Sequence, residues 1–356
     1  MANPGVDEVS LLIGFQEFKA WGEMELTTTI DGVATAGFTA PMEPSRSEFR
    51  DTFRPFSYTR VDVMIAGSRY FTGYMLDVVP EVEPGSKVVK VTAVSLPGVI
   101  EDCTPPGERV PFEWEDLNLR DIATAAGEWF DLDVTFDAEP GANFKKVALE
   151  PGQKVHGWLA GLAKQRSLVM TSTPEGGLLF QKSIPAGIPV ARLVEGEQPL
   201  GKVTPSFKPR EYYSELTGFT PKKKHTSGNK SPIQNPRLSD VTRPTTFKLD
   251  DTEKGEAADT TSAHMGRMFA DVVSYNVPGI PTWRDPQDEL WTPNTTITLN
   301  APGAMIYNEF EFLVRQVVLK RTKEEQVASL NVVFPGAFEG EAPDEFPWDL
   351  SPDAVF

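Results

Sequence analysis

Two pairs of acidic residues have a spacing that could support acid–base catalysis. Asp131 and Asp133 form one pair, and Glu309 and Glu311 form the other. Residues two apart on a strand share a face, so each pair could approach the carboxylate separation that glycoside hydrolysis requires. Both pairs are predicted to lie on strands, and the glutamates alternate with phenylalanines, which is typical of a strand with one solvated face. Spacing alone supplies neither a cleft nor tuned pKa values, so we expect no catalysis at either pair.

The histidines and the cysteine do not form a recognisable site either. His156, His225 and His264 have no partner at the His-x-x-x-His spacing of a metal site, and we predict them at a helix start, in a polar loop and at a helix start. Cys103 is the only cysteine, which excludes an intrachain disulfide and predicts a partly buried structural thiol. Glycine-rich phosphate-binding loops are absent. We therefore expect no metal, no cofactor and no enzymatic activity.

The composition indicates a folded, acidic protein. The 356 residues are 40% hydrophobic, which suffices for about two or three compact units. The formal net charge of −17 argues against a protein that grips nucleic acid, because that affinity comes mostly from Lys and Arg. The start of the chain lacks the pattern of a signal peptide, and no apolar stretch approaches the roughly 18 residues of a membrane span. We expect a soluble protein without a spanning segment.

Residues 8–97 are predicted to be β structure throughout. Val61, Val63 and Ile65 alternate with polar residues, as in a half-buried strand. Turn residues recur at short intervals, at 31–32, 66–68 and 84–85. Short strands at this density indicate a small barrel or sandwich.

The next segment changes to a helical period. Apolar residues at helical spacing predict a helix after Asn118, which is placed to cap it, and a second helix from Val155 to Ala163. Strands are predicted around 132–136, 168–171 and 178–180. Two helix-then-strand units therefore form a compact α+β domain inserted after the first β block.

The remaining chain returns to β structure around a third helix. Residues 184–220 have β character, and 221–244 is predicted to be a long solvated loop in which Lys222, Lys223, Lys224 and Lys230 lack interleaved aromatic residues. Its role stays open, and contact with an acidic neighbour is one alternative. The third helix has cap candidates at 259–262, and its apolar face comprises Met265, Met268, Phe269 and Val272. Strands are predicted near 272–277, at 295–299 and at 310–321, and a turn at 322–325 leads into 327–334.

The end of the chain combines acids, prolines and aromatic residues. The last 22 residues carry six acidic residues, four prolines and no Lys or Arg, which is typical of a segment that is extended or disordered in isolation. Its aromatic residues are Phe338, Phe346, Trp348 and Phe356. They either belong to a mobile end or bind a neighbouring subunit or another component as anchors. We take these four as candidate partner-binding residues.

Four stretches, taken in order, resemble a known family. They are Tyr70-Phe71-Thr72-Gly73-Tyr74-Met75-Leu76-Asp77, the stretch from Ser95 to Cys103, the paired helix–strand block from Asn118 to Phe180, and the stretch from Met265-Gly266-Arg267-Met268 through Trp283-Arg284 to Pro293-Asn294. Their order and spacing resemble the Mu-type baseplate hub proteins of contractile-tailed phages. That group is related to the late-control D proteins and to the hub part of type VI secretion spikes. Residues 165–167 depart from the pattern, because relatives often have a glycine there, and the lysine-rich loop looks like a local elaboration.

The resemblance implies an α+β, β-rich, multidomain fold with two small tube-type β-barrels that are near-copies in shape. The implied ranges are 8–97 for the first barrel, 98–183 for an α+β domain with two helix–strand units, 184–240 with 295–336 for the second barrel, 241–294 for a small α+β domain, and 337–356 for the acidic tail.

The resemblance also implies a structural function in the virion, after synthesis in the host cytoplasm. Three chains would place six barrels in a ring that adapts a hexameric tail tube to a trimeric spike and lets DNA pass without specific binding. Implied partners are two further copies of the chain, the spike, the tube protein, other baseplate (wedge) proteins and, as a further candidate, the tape measure protein. We also predict a ring lumen lined with acids. A tail-associated peptidoglycan hydrolase and a receptor- or glycan-binding tail-tip module remain alternatives.

Overall fold

The structure is a computed structural model that describes residues 7–109, 112–184, 187–220, 228, 230–249 and 254–349. Strands outnumber helices in it, as the alternating sequence patterns predict. The strands are β1 (Val9–Ile13), β2 (Gln16–Glu17), β3 (Glu23–Thr29), β4 (Thr35–Pro41), β5 (Arg60–Ile65), β6 (Ser68–Glu83), β7 (Ser86–Ser95), β8 (Glu113–Leu117), β9 (Val134–Phe136), β10 (Phe144–Ala148), β11 (Val169–Ser172), β12 (Leu178–Gln181), β13 (Ala191–Val194), β14 (Thr204–Phe207), β15 (Glu215–Phe219), β16 (Lys230–Gln234), β17 (Pro244–Lys248), β18 (Val273–Ile280), β19 (Thr296–Ala301), β20 (Ile306–Arg321) and β21 (Gln326–Val333).

The helices are few and mostly amphipathic. They are α1 (Ser47–Thr52), α2 (Val99–Asp102), α3 (Leu119–Gly127), α4 (Val155–Lys164) and α5 (Lys254–Val272). Asn118 caps α3 as predicted, since its Oδ1 accepts a hydrogen bond from the Asp121 N–H at 3.0 Å. The apolar face of α5 is buried as predicted. The α+β, β-rich fold class is thereby confirmed.

The first β unit comprises β1 and β3 to β7. Its strands are hydrogen-bonded in the order β3-β4-β7-β6-β5-β1. Val61, Val63 and Ile65 of β5 are buried, so the alternation in the sequence marks the core face of this strand. The two-residue β2 adds to the outer side of β1.

The second β unit repeats that order. It comprises β13, β14 and β18 to β21, hydrogen-bonded in the order β14-β18-β21-β20-β19-β13. Each strand thus corresponds to one of the first unit: β14 to β3, β18 to β4, β19 to β5, β20 to β6, β21 to β7 and β13 to β1. One pairing differs, because β1 is antiparallel to β5 whereas β13 is parallel to β19.

The two units also agree in register. Val61 lies opposite Gly73 in the β5–β6 pair, and Ile297 lies opposite Phe312 in the β19–β20 pair. Asp77 lies opposite Thr92, and Gln316 lies opposite Asn331. The same number of residues separates Asp77 from Gln316 and Thr92 from Asn331. The ladder is interrupted at matching places, between Met75 and Asp77 and between Val314 and Gln316. These matches define equivalent positions in the two units, and they are the internal repeat that the resemblance implies.

The two units are joined edge to edge within the chain. The last part of β20 leaves β19 and pairs with β3 in an antiparallel ladder that runs from Gln316 opposite Thr29 to Arg321 opposite Met24. The two units therefore share one continuous sheet and one apolar core.

The remaining elements are inserted between strands of these units. Helices α3 and α4, with β8 to β12, enclose a separate apolar core that includes Ile122, Trp158 and Phe180. A three-stranded sheet in the order β16-β15-β17 packs against α5. None of the described helices is long and apolar enough to cross a membrane.

The structure corrects several sequence-based expectations. Residues 8–97 are not entirely β, because α1 interrupts them and buries Phe49. Helix α5 begins at Lys254, which places the expected cap residues and His264 inside the helix. The segment 221–244 is not entirely a loop, since β16 forms at 230–234 and buries Ser231.

The sheet pairing also differs from two of the domain ranges, which otherwise remain a prediction. Strands β15 and β16 pair with β17 in the small sheet, although their residues fall in the range implied for the second barrel. Strand β18 pairs with β14 and β21 in the large sheet, although it falls in the range implied for the small α+β domain. Hydrogen bonding between distant segments decides these memberships, and local sequence patterns do not contain it.

Candidate functional site

The ladder between β20 and β3 is clamped at one end by Arg315, the residue that the β20–β21 pairing skips. Its guanidinium donates to both carboxylate oxygens of Asp31, with Nε–Oδ1 and Nη2–Oδ2 distances of 3.2 and 2.7 Å. Nη1 also donates to Asp271 of α5 at 3.0 Å. Arg315 therefore ties the second β unit to the first unit and to α5 at once, in a forked geometry that arginine favours.

Burial and charge act on the pKa values of this pair in opposite directions. For Asp31, burial raises the pKa, but the attraction of the Arg315 guanidinium and its hydrogen bonds outweigh burial and hold the pKa below its usual range. For Arg315, burial lowers the pKa, and the two carboxylates outweigh it, so that the pKa is raised. Both groups are thus held in their charged forms.

The other end of the ladder is clamped by Arg321. Its Nη1 donates to the backbone carbonyl of Asp7 and to Gln326 Oε1 at 2.8 and 2.9 Å. The Asp7 carboxylate in turn accepts hydrogen bonds from Arg284 and Gln326. Polar contacts therefore close both ends of the intrachain junction, with apolar residues such as Leu26 and Leu319 buried between them.

Phe338 lies beside Arg315, at that end of the junction, and is almost fully buried in its own chain. The guanidinium carbons of Arg267 and Arg315 lie 5.1 and 5.8 Å from the centre of its ring. Arg267, which is also buried, donates to the Leu168 carbonyl at 2.8 Å and thereby contacts the inserted α+β core. Burial lowers the pKa of Arg267 to about 10. The attraction between a cation and an aromatic face is stronger when water is excluded. The contacts of Phe338 with Arg267 and Arg315 therefore stabilise the packing of α5 against the second β unit and the inserted α+β core.

Gly266 explains how α5 approaches the end of the chain so closely. A Cβ atom at this position would lie 2.3 Å from the Ala337 carbonyl oxygen and 2.7 Å from the Gly340 Cα. Only glycine permits this contact between a helix and a second backbone. The stretch Met265-Gly266-Arg267-Met268, singled out in the sequence, thus has a packing role.

The acidic end of the chain packs against its own second β unit as far as it is described. Phe346 and Trp348 stack at 4.6 Å between ring centres, and Arg237 lies 4.5 Å above the Phe346 ring. The Tyr307 N–H donates to the Pro347 carbonyl at 3.0 Å. The expectation that this segment is extended or disordered in isolation is wrong for residues 337–349, because their aromatic residues find apolar partners within the chain.

The four candidate partner-binding residues therefore lie in different surroundings. Phe338 is a core residue and offers no surface to a partner, which corrects its candidacy. Phe346 and Trp348 are partly exposed and keep theirs as a prediction. Phe356 lies outside the described residues.

The carboxylate pairs are placed differently from one another. Glu309 and Glu311 share β20 as predicted, where Glu309 accepts a hydrogen bond from Arg192 at 2.7 Å and Glu311 accepts one from the Gly187 N–H at 3.1 Å. Asp131 is not on a strand, since it adopts a left-handed conformation with φ of 52° after a short 3₁₀ helix. Asp133 directly precedes β9.

Two of the three histidines are largely buried and neutral. His156 lies at the start of α4, and burial lowers its pKa to about 4. His264 stacks on Phe247 with 4.0 Å between ring centres, and burial together with Lys164 and Arg267 lowers its pKa to about 4. Cys103 is partly buried. Among the described residues no group of three or more His, Cys, Asp or Glu side chains could hold a metal ion. His225 and Lys222 to Lys224 lie outside the described residues.

Two strand edges that correspond to the two sides of the β20–β3 junction have no strand beside them among the described pairings. The outer part of β6 pairs with β7 on one side only, and β14 pairs only with β18. Val79, Val82 and Phe207 on these edges are exposed. Exposed apolar residues along unpaired strand edges are typical of surfaces that meet another chain.

Comparisons with known proteins identify the fold and one domain. Residues 98–182 match the family model of the second domain of gp44-like baseplate hub proteins. The 43 kDa tail protein of prophage MuSo2 from Shewanella oneidensis matches with a TM-score of 0.77 and 20% identity, over 93% of this chain and 99% of that one. The predicted resemblance to phage baseplate hub proteins is confirmed.

Two further structures extend the hub-type fold. A tail protein from Neisseria meningitidis MC58 matches with a TM-score of 0.76 and 17% identity, over 93% of this chain and 97% of that one. The E. coli c3393 protein, described as a component of the type VI secretion system, matches with a TM-score of 0.57 and 8% identity, over 94% of this chain and 79% of that one. At these identities the likeness shows the fold alone, which this chain shares with two tail proteins and with a component of the type VI secretion system. No curated protein matches in sequence.

Sequence reasoning missed the residues that clamp the hub-type fold together. Arg315 and Asp31 are far apart in sequence, and nothing near Asp31 distinguishes it from a solvated charge in a turn. A usable signal existed for Arg315, since it interrupts a run of apolar residues from Phe312 to Leu319 in which a charged residue needs a partner.

Proposed function

We propose that this chain is a structural baseplate hub of a contractile phage tail, of which three copies form a ring. The ring adapts the hexameric tail tube on one face to the trimeric central spike on the other, and DNA passes through its centre. The protein works by rigid docking, without a chemical reaction, and it resides in the virion after synthesis in the host cytoplasm.

The internal repeat is the observation that carries this proposal. Two β units with the same strand order and the same register stand side by side in one polypeptide. Three such chains can present six nearly equivalent units to a sixfold partner and still present threefold symmetry to another. A single β unit per chain could not serve both symmetries in this way.

The mass of the full-length chain in solution tests the ring. We expect native mass spectrometry, over increasing protein concentration, to show conversion from one chain to three with no intermediate accumulating at high concentration. A closed assembly with another number of chains, or a single chain at every concentration, would contradict the proposal.

The partners follow from the two faces of the ring. The proposed neighbours are the tube protein, the spike, wedge proteins of the baseplate and, as a further candidate, the tape measure protein. The net charge of −17 supports a lumen that repels DNA. A lumen lined mainly by Lys and Arg would contradict that part of the proposal.

Phe346 and Trp348 remain the residues to which we assign contact with a neighbour. Both pack on their own chain and remain partly exposed. Deleting residues 337–356 would not test this assignment, because it would also remove Phe338 from the core. Trp348→Ala is the sharper change: we expect assembly with other baseplate proteins to weaken while the solitary chain keeps its fold.

No observation favours a wall-degrading enzyme or a glycan-binding module over the hub. Glu309 and Glu311 are both engaged by other groups of the chain, and Asp131 and Asp133 do not share a strand. A zymogram on cell walls is expected to show no clearing, and purified protein is expected not to bind cells.

A further inference from the structure

Among the described residues, the outer edge of β6 has no neighbouring strand, although the equivalent edge of β20 has one. In the second unit, the outer part of β20 is covered by β3, and Val317 and Leu319 are completely buried. Their equivalents in β6 are Val78 and Pro80, of which Val78 is half-buried and Pro80 is exposed. The same segment thus has a partner strand in one unit and none in the other.

The strand that corresponds to β3 is β14, and its outer edge is also uncovered. Glu25 of β3 lies opposite Gly37, and Thr204 of β14 lies opposite the equivalent residue, Asn276. This register makes Phe207 the equivalent of Thr28. Phe207 is 41% exposed. The intrachain junction joins the outer edges of β20 and β3, and the equivalent edges of β6 and β14 are both unpaired in the described part of the chain.

We propose that the outer edge of β6 in one copy lies against the outer edge of β14 in a second copy, in the register of the β20–β3 junction. This inference rests on the proposed function and gives its ring a specific interface. The β20–β3 register, transferred to the new pair, places Asp77 opposite Lys208 of the second copy and Val78 opposite its Phe207. One junction within each chain and one between neighbouring chains then alternate around the ring.

The charges of the two edges are complementary. In the intrachain junction, Lys320 forms an ion pair with Glu23 at 2.8 Å. The equivalent positions are Glu81 on β6, which also pairs with Lys90 of its own chain at 2.8 Å, and Lys202 next to β14, so the two charges are exchanged between the edges. Asp77 opposite Lys208 adds a second pair of opposite charges. The β6 edge is acidic and the β14 edge is basic, which brings two different edges together and keeps identical edges apart.

Proline limits how tightly the two edges join. Pro80 and Pro205 take the places of Leu319 and Leu26, which lie opposite one another in the intrachain junction. Proline has no N–H to donate, so the new contact cannot form the continuous ladder of the intrachain junction, and side chains carry more of it. Prolines on edge strands also prevent indiscriminate pairing. The contact between copies is therefore weaker than the contact within a chain.

A charge swap tests the interface. Asp77→Lys alone and Lys208→Asp alone each place like charges opposite one another and are expected to raise the concentration for half-assembly about fivefold per interface. The double variant Asp77→Lys with Lys208→Asp restores opposite charges and is expected to assemble like the original chain. Glu150→Lys, an exposed acid in the inserted domain, serves as the matched control and is expected to have no effect.

The readout is native mass spectrometry of the full chain, with thermal unfolding to show that every variant is folded. Weakening by both single changes and rescue by the double change would support the interface. Three-chain rings that respond to neither single change would overturn the interface and leave the proposed function intact. An original chain that forms no three-chain species at any concentration would overturn the proposed function together with the interface.

Discussion

The outer part of β20 and the outer part of β6 are equivalent strand edges. The edge of β20 is covered by β3 at the junction between the two β units, whereas the edge of β6 is uncovered as far as the chain is described. At the junction, the ladder is flanked by Arg315 and Arg321, both of which are bonded to other parts of the chain. At the equivalent positions of β6 stand Leu76 and Val82, which are exposed. The comparison teaches that one copy of the repeat has become a permanent internal contact fixed by buried charge. The other copy has an exposed edge with apolar and acidic residues, to which we assign a second copy of the chain.

Removal of the Phe338 ring should have the largest effect on the permanent contact. Phe338→Ala is expected to lower the free energy of unfolding by about 4 kcal/mol, because it leaves a cavity beneath Arg267 and Arg315. Urea unfolding measures the change. Phe56→Ala, a control at an exposed phenylalanine, should cost less than about 0.5 kcal/mol. Equal, small effects would mean that the end of the chain does not belong to the core.

Substitutions at equivalent positions of β20 and β6 should differ clearly in their effect on the free energy of unfolding. Leu319→Ala is expected to cost about 3 kcal/mol, because Leu319 is fully buried at the junction. Pro80→Ala at the equivalent position of β6 should leave the stability of the isolated chain within about 0.5 kcal/mol. A comparable loss for both would show that the β6 edge is already covered within one chain.

The arginine clamp should be costly to break because its partners are left without a counter-charge. Arg315→Met is expected to cost about 2 to 3 kcal/mol, discounted for the partial exposure of the pair. Leu76→Met, at the equivalent position, should be nearly neutral. Arg192→Met, which removes an exposed ion pair with Glu309, is the control for the loss of an exposed pair. It should lower the free energy of unfolding by at most about 1 kcal/mol.

The packing of α5 against the small sheet should also respond to acid through His264. Its pKa in the folded chain is about 4 against an ordinary value of 6.5, so the unfolded chain binds the proton more readily. Stability is therefore expected to fall as the pH decreases from 6.5 to 4, by about 2 kcal/mol per such histidine between pH 7 and 5. His156 acts in the same direction. His264→Phe, which keeps a ring against Phe247, should remove about half of this dependence, and an unchanged pH profile would contradict the account.

The sequence predicted what depends on local pattern. The cap at Asn118, the buried face of α5 and the alternation in β5 follow from residue spacing, and all three are present. Helix α1 was not predicted because it is only six residues long, too short for a helical period to be distinguished from its β surroundings. The start of α5 was misplaced because polar candidates for a cap also occur inside the helix.

The repeat itself was expected only from the resemblance, because its two copies share register but few residues. Val78 corresponds to Val317, but Pro80 corresponds to Leu319 and Leu76 to Arg315. Equivalent positions of this kind become visible only through hydrogen-bond pairing. The candidate site was therefore less predictable than the fold: Phe338 was predicted to bind a partner, and it packs instead in the core of its own chain.

Cryo-electron microscopy of the assembled full-length chain tests the central claim most directly. We predict a ring of six β units from three chains, in which β20–β3 contacts within chains alternate with β6–β14 contacts between chains. A ring in which the two β units of one chain occupy different radii, or in which the β6 edge faces solvent, would contradict the account.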